Sequence, residues 1–157
     1  MVEKSALLVN KLISRGFSIC FAESCTGGML CSRIVDVPNA SSVLNMSFVT
    51  YANTAKTLLL GVSADTILQY GVVSEPVAGQ MAKGAASAAN ADVAVGVSGI
   101  AGPSGGSDLK PVGTVCFGFY VCGNLNTYTQ HFINLDRTGV RTAAVDYAID
   151  TLLNLLK

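Results

Sequence analysis

The segment FSICFAESCTGGMLCSRIVDV, residues 17–37, changes its hydrophobic period in the middle. Phe17, Ile19 and Phe21 alternate with other residues, as in a β-strand. Beyond Gly28, apolar residues recur three to four positions apart, as in an α-helix. Two glycines separate the patterns, and glycine permits the backbone conformations of a tight turn. The segment therefore predicts a strand, a glycine turn and a helix.

The rest of the chain continues this alternation. Helical patterns occupy residues 5–15, 55–62, 75–90 and 136–155, and strand patterns occupy residues 45–52, 91–100, 112–122 and 127–135. The strand at 91–100 is almost wholly apolar, as in a central strand covered on both faces, and the last two strands form an antiparallel hairpin. We therefore predict a single α/β domain, residues 1–157, folded as a three-layer α/β/α sandwich with a mixed β-sheet.

Local residue chemistry predicts where three of these elements begin or turn. Asn53 or Thr54 can cap the short helix that follows the second strand. Ser74, followed by Glu75 and Pro76, is a strong helix start, because proline is accepted in the first turn of a helix. The turn of the hairpin is predicted at residues 123–126, Gly-Asn-Leu-Asn.

The composition limits the classes of partner. Ten basic residues balance ten acidic ones, and no stretch gathers the basic side chains that binding to nucleic-acid phosphates requires. No run of about 18 uninterrupted apolar residues is present, which excludes a membrane span. Half of the residues are apolar and only 13% are charged, so a monomer would have few charges to cover its surface. We therefore predict a homo-oligomer that binds neither nucleic acid nor membrane.

Cysteine usage indicates a reducing compartment. The five cysteines are odd in number and none of them forms a CxxC pair, so neither a disulfide framework nor a zinc site is predicted, and no metal or cofactor is expected. Glu3, Lys4 and Lys11 interrupt the apolar residues of the first helix, which therefore resembles an amphipathic helix and not a signal sequence. A cytoplasmic location is the simplest interpretation.

Ser24 is the first candidate for chemistry. It stands at the end of a predicted strand, where backbone N–H groups and the positive end of the next helix converge and could stabilise an oxyanion. The alternative is that Ser24 or Thr26 is only an N-cap and that the glycines relieve a tight turn. Cys25 is a second possible nucleophile. Local pattern alone leaves these alternatives open.

A serine or thiol nucleophile needs a base, and the chain offers a single histidine. His131 lies inside a predicted strand, where a packed or solvated role is expected, so a Ser-His-Asp triad is disfavoured. Lys56 follows a strand end, five residues after Tyr51. A lysine can act as a base if burial lowers its pKa towards neutrality, whereas a solvated helix lysine cannot.

The glycine-rich segment 102–113 is a candidate anion site. Its glycines permit close backbone approach and the positive-φ conformations in which N–H groups surround an anion. It fits no P-loop pattern, and a mobile hairpin-entry loop is an equal alternative.

Four motifs occur together in a fixed order: AESCTGG at 22–28, FVTYANTAK at 48–56, GVVSEPVA at 71–78 and SGIAGPSGGSDLKPVGTV at 98–115. In this combination the chain resembles the CinA C-terminal domain family, and the resemblance covers essentially its whole length. Members that it resembles are nicotinamide-nucleotide amidases, which release ammonia from nicotinamide mononucleotide to give nicotinic acid mononucleotide. They are described as serine/lysine amidohydrolases that need no metal.

The resemblance implies a role for each matching residue. Ser24 would be the nucleophile, Lys56 its base, and Tyr51 would orient the lysine or relay the proton. Cys25 would be a packed neighbour. The residues implied to contact the substrate are Thr26, Gly27, Gly28, Arg137 and Arg141, with the amides near the two glycines holding the oxyanion and one arginine holding the phosphate.

The chain also departs from the family pattern. A glycine of the VPGSS-like segment is replaced within VPNASS at 37–42, residues 45–47 read Asn-Met-Ser before the VTY strand, and Tyr70 replaces a frequent histidine. These changes affect pocket shape more than fold. Two other functions stay open: a non-catalytic nucleotide-binding or partner-regulating module, and thiol chemistry at Cys25 if His131 lies beside it.

Overall fold

The computed structural model describes residues 2–157. Its helices are α1 (Val2–Arg15), α2 (Met29–Val35), α3 (Asn53–Leu60), α4 (Ala64–Tyr70), α5 (Glu75–Ala89) and α6 (Arg137–Leu155), with a short 3-10 helix at Ala40–Ser42. Its strands are β1 (Ile19–Glu23), β2 (Phe48–Val49), β3 (Val93–Gly99), β4 (Thr114–Val121) and β5 (Asn124–His131).

The five strands form one mixed sheet in the order β2-β1-β3-β4-β5. Strands β1, β2 and β3 are mutually parallel, whereas β4 is antiparallel to both β3 and β5. Parallel strands end at the same edge of a sheet, so the segments that follow β1, β2 and β3 meet there. This edge is where the sequence places Ser24, Tyr51 and the glycine-rich segment.

Helices cover both faces of the sheet. α1, α2 and α6 contact one another over the larger core cluster, and α3, α4 and α5 pack together over the smaller one. Helix α5 lies very close to the sheet: Gly96 and Gly118 pair across β3 and β4, and a Cβ at either position would overlap the Ala78 carbonyl oxygen. The predicted three-layer α/β/α sandwich with a mixed sheet is confirmed.

The local predictions had mixed outcomes. Ser74 caps α5, accepting the Val77 N–H. The prediction of a side-chain cap from Asn53 or Thr54 is wrong, because α3 begins at Asn53 after Ala52, with no side-chain cap. The predicted position of the hairpin turn, residues 123–126, is also wrong. Val121 pairs with Asn124, so the turn is Cys122 and Gly123, both at positive φ, and β5 ends at His131.

Two further differences between prediction and structure lie near the carboxyl edge of the sheet, the edge at which β1, β2 and β3 end. The second strand is only Phe48–Val49, not residues 45–52, because it pairs with β1 alone at the margin of the sheet. Helix α4 has no counterpart in the sequence prediction. None of its residues is buried.

Candidate active site

Ser24 and Lys56 meet at the carboxyl edge of the sheet. Ser24 directly follows β1, and Lys56 lies in α3, which follows β2. The Lys56 Nζ atom lies 3.1 Å from Ser24 Oγ, within hydrogen-bond distance. The strand order therefore joins two residues that are 32 positions apart in the sequence.

The Lys56 side chain is fully buried. Its Nζ donates to the backbone carbonyl oxygens of Thr50 at 2.7 Å and Tyr51 at 3.3 Å. No carboxylate pairs with Lys56 in the described part of the chain. Burial lowers the pKa of Lys56 from its usual value of 10.5, because an ammonium ion loses its hydration shell when it enters the protein.

These contacts suit a neutral lysine. A neutral amine has two N–H donors and one lone pair. The two carbonyl oxygens can accept the donors, and the lone pair can accept the Ser24 hydroxyl hydrogen. The arrangement therefore matches a serine whose proton can pass to an adjacent amine.

A cleft of about 450 Å³ opens beside this pair, a volume in the usual range for small-molecule sites. Its lining includes the cationic side chains of Lys110 and Arg137. No Asp or Glu is among the lining residues that the structure describes. A cleft with cations and no carboxylates favours an anionic ligand.

Tyr51 and Arg137 line the cleft together. Arg137 donates through Nη2 to the Tyr51 hydroxyl at 3.0 Å and through Nη1 to the Gly102 carbonyl at 2.7 Å. The Tyr51 phenol therefore contacts Arg137, whereas Tyr51 contacts Lys56 through its backbone carbonyl. Any orienting of Lys56 by Tyr51 is an effect of the main chain and not of the hydroxyl.

Arg141 does not line the cleft. Its guanidinium donates to the Cys25 carbonyl through Nε and to the Thr26 carbonyl through Nη2, each at 3.0 Å. Of the two arginines that the sequence offered for phosphate binding, only Arg137 faces the cleft.

Thr26, Gly27 and Gly28 are also absent from the cleft lining. The Gly27 N–H donates to the Ser24 carbonyl at 3.0 Å, and the Gly28 N–H donates to the Glu23 carboxylate at 3.1 Å. The resemblance implies an oxyanion held by amides near these two glycines, and the Gly27 and Gly28 amides themselves already have acceptors. Within residues 2–157, the N–H groups of Cys25 and Thr26 have no oxygen acceptor.

Glu23 is a site residue that the sequence reasoning missed. Its side chain is fully buried, and its carboxylate accepts the N–H groups of Gly28, Leu30 and Cys31 at 3.1, 3.0 and 2.8 Å. It thereby serves the free amides at the start of α2, where the N-cap residue Gly28 has no side chain. A glutamate that ends an apolar strand was the available signal.

Glu23→Gln should reduce the free energy of unfolding by about 1–3 kcal/mol. The glutamine amide nitrogen cannot accept a hydrogen bond, so at least one buried N–H would lose its partner. Urea denaturation of the variant and wild type measures the loss. Asp92→Asn is the control, since the Asp92 carboxylate also accepts a backbone N–H, from Ser18, but is exposed. Equal stability of Glu23→Gln and wild type would contradict the role of the carboxylate.

Cys25 and His131 do not form a pair. Cys25 is buried beside the cleft, and burial raises the pKa of its thiol to about 12. His131 lies on edge strand β5, where its Nδ1 is 3.1 Å from Thr114 Oγ1, and it does not line the cleft. The thiol alternative therefore lacks both a reactive thiolate and a base.

The glycine-rich segment 102–113 forms one wall of the cleft through Gly102, Ser104, Gly105, Ser107 and Lys110. The Lys110 Nζ donates to the Tyr70 carbonyl at 2.8 Å, which joins this wall to the end of α4. Sequence reasoning singled out the segment for its amides but missed Lys110, the cation that it brings to the cleft.

The described residues contain no cluster of three or more His, Cys, Asp or Glu side chains that could hold a metal ion. Among the helices within residues 2–157, none is both long enough and apolar enough to span a membrane.

Comparison with known proteins gives a consistent result. The CinA C-terminal domain matches residues 2–156. The nicotinamide-nucleotide amidohydrolase PncC of Escherichia coli (strain K12) is 44% identical over 152 residues, which are 97% of this chain and 92% of that protein. The nicotinamide-nucleotide amidohydrolase PncC of Enterobacter agglomerans is 50% identical over 143 residues, 90% of this chain and 87% of that protein.

Solved structures share the fold. The crystal structure of the competence/damage inducible protein CihA from Agrobacterium tumefaciens superposes with a TM-score of 0.97 at 37% identity, covering 99% of this chain and 95% of that chain.

Proposed function

Since the chain belongs to the CinA C-terminal domain family, we propose that it hydrolyses the carboxamide of nicotinamide mononucleotide to nicotinic acid mononucleotide and ammonia. The observation that carries the proposal is the 3.1 Å contact between Ser24 Oγ and the buried Nζ of Lys56. Relatives that are 44% and 50% identical carry the name of this activity. The reaction would serve the recycling of pyridine nucleotides.

In the first step, Ser24 Oγ attacks the amide carbon while neutral Lys56 accepts the hydroxyl proton. The C–O bond forms as the carbonyl π electrons move onto oxygen, giving a tetrahedral oxyanion. The support for a neutral lysine is its burial, which lowers the Lys56 pKa, and its two carbonyl acceptors.

The oxyanion needs donors that are not already bonded. The N–H groups of Cys25 and Thr26 directly follow the nucleophile and have no oxygen acceptor among the described residues. We assign the oxyanion to the Cys25 N–H, because Cys25 lines the cleft whereas Thr26 is fully buried and does not, and a preorganised donor counts only if it is free to bind the developing charge.

Collapse of the intermediate breaks the C–N bond. The Lys56 ammonium returns its proton to the leaving nitrogen, ammonia departs, and the nicotinoyl group remains as an ester on Ser24. Water then attacks the ester carbon while Lys56 accepts its proton; the bond from that carbon to Ser24 Oγ breaks, Lys56 returns the proton to Oγ, and the acid leaves. The sum is amide plus water giving acid plus ammonia, with no metal in any step.

Arg137 is the phosphate ligand in this proposal. It lines the cleft, and its bonds to the Gly102 carbonyl and the Tyr51 hydroxyl leave other N–H groups of the guanidinium for a ligand. Lys110 is the second cation available to an anionic substrate. Arg141, whose guanidinium is committed to two backbone carbonyls, is not assigned to the phosphate.

Arg137→Met should raise KM for nicotinamide mononucleotide by about 10- to 100-fold, the usual loss for one charged hydrogen bond. Nicotinamide riboside, which has no phosphate, should be a poor substrate of wild type and should be affected much less by the substitution. Initial rates of ammonia release with both compounds measure this. Arg15→Met, on the exposed end of α1, is the control. Efficient hydrolysis of the riboside by wild type would contradict phosphate recognition by Arg137.

The activity itself is tested with purified protein and nicotinamide mononucleotide. We expect equal amounts of ammonia and nicotinic acid mononucleotide, measured by a coupled ammonia assay and by chromatography. Binding of the mononucleotide without release of either product would favour the alternative, a non-catalytic nucleotide-binding or partner-regulating module.

A further inference from the structure

The turn between β1 and α2, residues 24–28, is held on its carbonyl side by a single side chain. Arg141, in the second turn of α6, donates to the Cys25 and Thr26 carbonyl oxygens, each at 3.0 Å. Its guanidinium also packs against Gly27, where a Cβ would lie 3.4 Å from Nη2. An arginine from the last helix therefore binds the turn that bears Ser24.

The hydrogen bonds from Arg141 fix the direction of one peptide unit. The Cys25 carbonyl and the Thr26 N–H belong to the same peptide unit, and in a trans peptide these two groups point in opposite directions. The Cys25–Thr26 bond is not among the cis peptides. Because its carbonyl faces Arg141, its N–H faces away from Arg141 and lies inside the turn, since Thr26 is fully buried and does not line the cleft.

The neighbouring amides are already used. The Gly27 N–H closes the turn onto the Ser24 carbonyl, and the Gly28 N–H binds the buried Glu23 carboxylate. The turn is thus anchored through its carbonyls to α6 and through its last amide to β1. Within this turn, the Cys25 N–H is the amide that has no oxygen acceptor and belongs to a residue of the cleft lining.

We propose that Arg141 is a positioning residue for the reaction: by binding the Cys25 and Thr26 carbonyls it fixes the turn that places Ser24 Oγ and the Cys25 N–H at the cleft, and it does not bind the substrate's phosphate. The proposal rests on the amidase function proposed above. It assigns different roles to the two arginines near the start of α6, because Arg137 faces the cleft and Arg141 faces the back of the turn.

Arg141→Met should lower kcat by about 100-fold, the cost of misplacing a reacting group by about 1 Å, while KM changes by less than about threefold. The ratio of kcat/KM for the mononucleotide to that for the riboside should stay at its wild-type value, because neither the phosphate nor its ligand changes. Arg15→Met, the same chemical change on exposed α1, should match wild type. An unchanged kcat, or a raised KM together with a lower ratio, would overturn the assignment.

Arg141→Lys covers the case in which the methionine variant does not fold. Lysine keeps the positive charge but lacks the forked N–H groups with which a guanidinium binds two carbonyls at once. We therefore expect a loss in kcat of about tenfold or more with KM unchanged. A phosphate ligand would behave differently, since lysine also binds phosphate as a point charge. Full kcat in Arg141→Lys would overturn the positioning role.

Hydrogen exchange tests whether Arg141 holds the turn, and it needs no substrate. Peptides that contain residues 24–28 should exchange faster in either Arg141 variant than in wild type, because the Gly27 amide would lose a fixed turn. Peptides from α5 should be unchanged, and Arg15→Met should match wild type throughout. If wild type does not release ammonia, the proposed function fails, and exchange still decides whether Arg141 holds the turn. Unchanged exchange at residues 24–28 would overturn the proposal.

Discussion

Ser24→Ala should lower kcat for nicotinamide mononucleotide by on the order of 10⁵- to 10⁶-fold, the scale of losing a nucleophile from a serine hydrolase. The hydroxyl is the only group at this position that can form the ester intermediate, and the Lys56 amine has no other hydroxyl proton to accept there. Ammonia release measures the loss. The variant should stay folded, since the side chain is only partly buried and the Ser24 main chain keeps its bond to Val97.

Cys25→Ala is the matched control for Ser24→Ala. The Cys25 thiol is adjacent to the nucleophile, but burial raises its pKa to about 12, so almost no thiolate exists at neutral pH. We expect the variant to keep most of its activity, with a small loss of stability from the missing sulfur. Activity in Ser24→Ala together with its loss in Cys25→Ala would reverse the assignment of the nucleophile.

Lys56→Arg should be almost inactive, with kcat/KM reduced by at least about 10³-fold. A guanidinium stays protonated at every accessible pH and cannot accept the Ser24 proton. It would also introduce a permanent charge and a larger group where Lys56 is fully buried. Lys83→Arg, on the exposed face of α5, is the control and should match wild type.

The pH dependence follows from the lowered pKa of Lys56. A lysine with its usual pKa of 10.5 has fewer than about one neutral molecule in a thousand at pH 7, so an unshifted lysine could hardly act as a base. Burial favours the neutral form, which is the active one. Below the Lys56 pKa the protonated form accumulates and activity is lost; as pH rises through that pKa, kcat/KM should rise to a plateau.

The pH profile of kcat/KM locates that limb in the free enzyme, and its midpoint should lie well below 10.5. Near-normal turnover by Lys56→Arg, with an unchanged profile, would leave the lysine with at most an electrostatic role. The serine/lysine mechanism would then have to be abandoned for this chain.

The sequence predicted the fold well where one interaction dominates. The strand, turn and helix of residues 17–37 follow from the change of hydrophobic period, and Ser74 predicts its helix because the capping bond is local. The hairpin turn was predicted at residues 123–126, because Gly123 and the three residues after it together resemble a turn, but it lies at Cys122 and Gly123. Its position depends on the pairing of β4 with β5, which places the positive φ angles at Cys122 and Gly123.

The residues of the site were likewise predicted only in part. Four ordered motifs, and the family resemblance that they carry, pointed to Ser24, Lys56, Tyr51 and an arginine near the start of α6, and the structure brings Ser24, Lys56, Tyr51 and Arg137 to one cleft. They did not separate Arg137 from Arg141, which are four residues apart on one helix. They also gave no role to Glu23 or to Lys110.

By itself, the sequence determined the alternating α/β architecture and the residue types available for chemistry, because periodicity, capping and motif spacing are properties of short segments. Only the tertiary structure decided which of these residues meet and in which direction each group points. The parallel order of β1, β2 and β3 brings Ser24 to Lys56 and buries the amine. The packing of α6 directs Arg141 to the turn that bears Ser24 and leaves Arg137 facing the cleft, because a side chain's partners depend on elements that are distant in the chain.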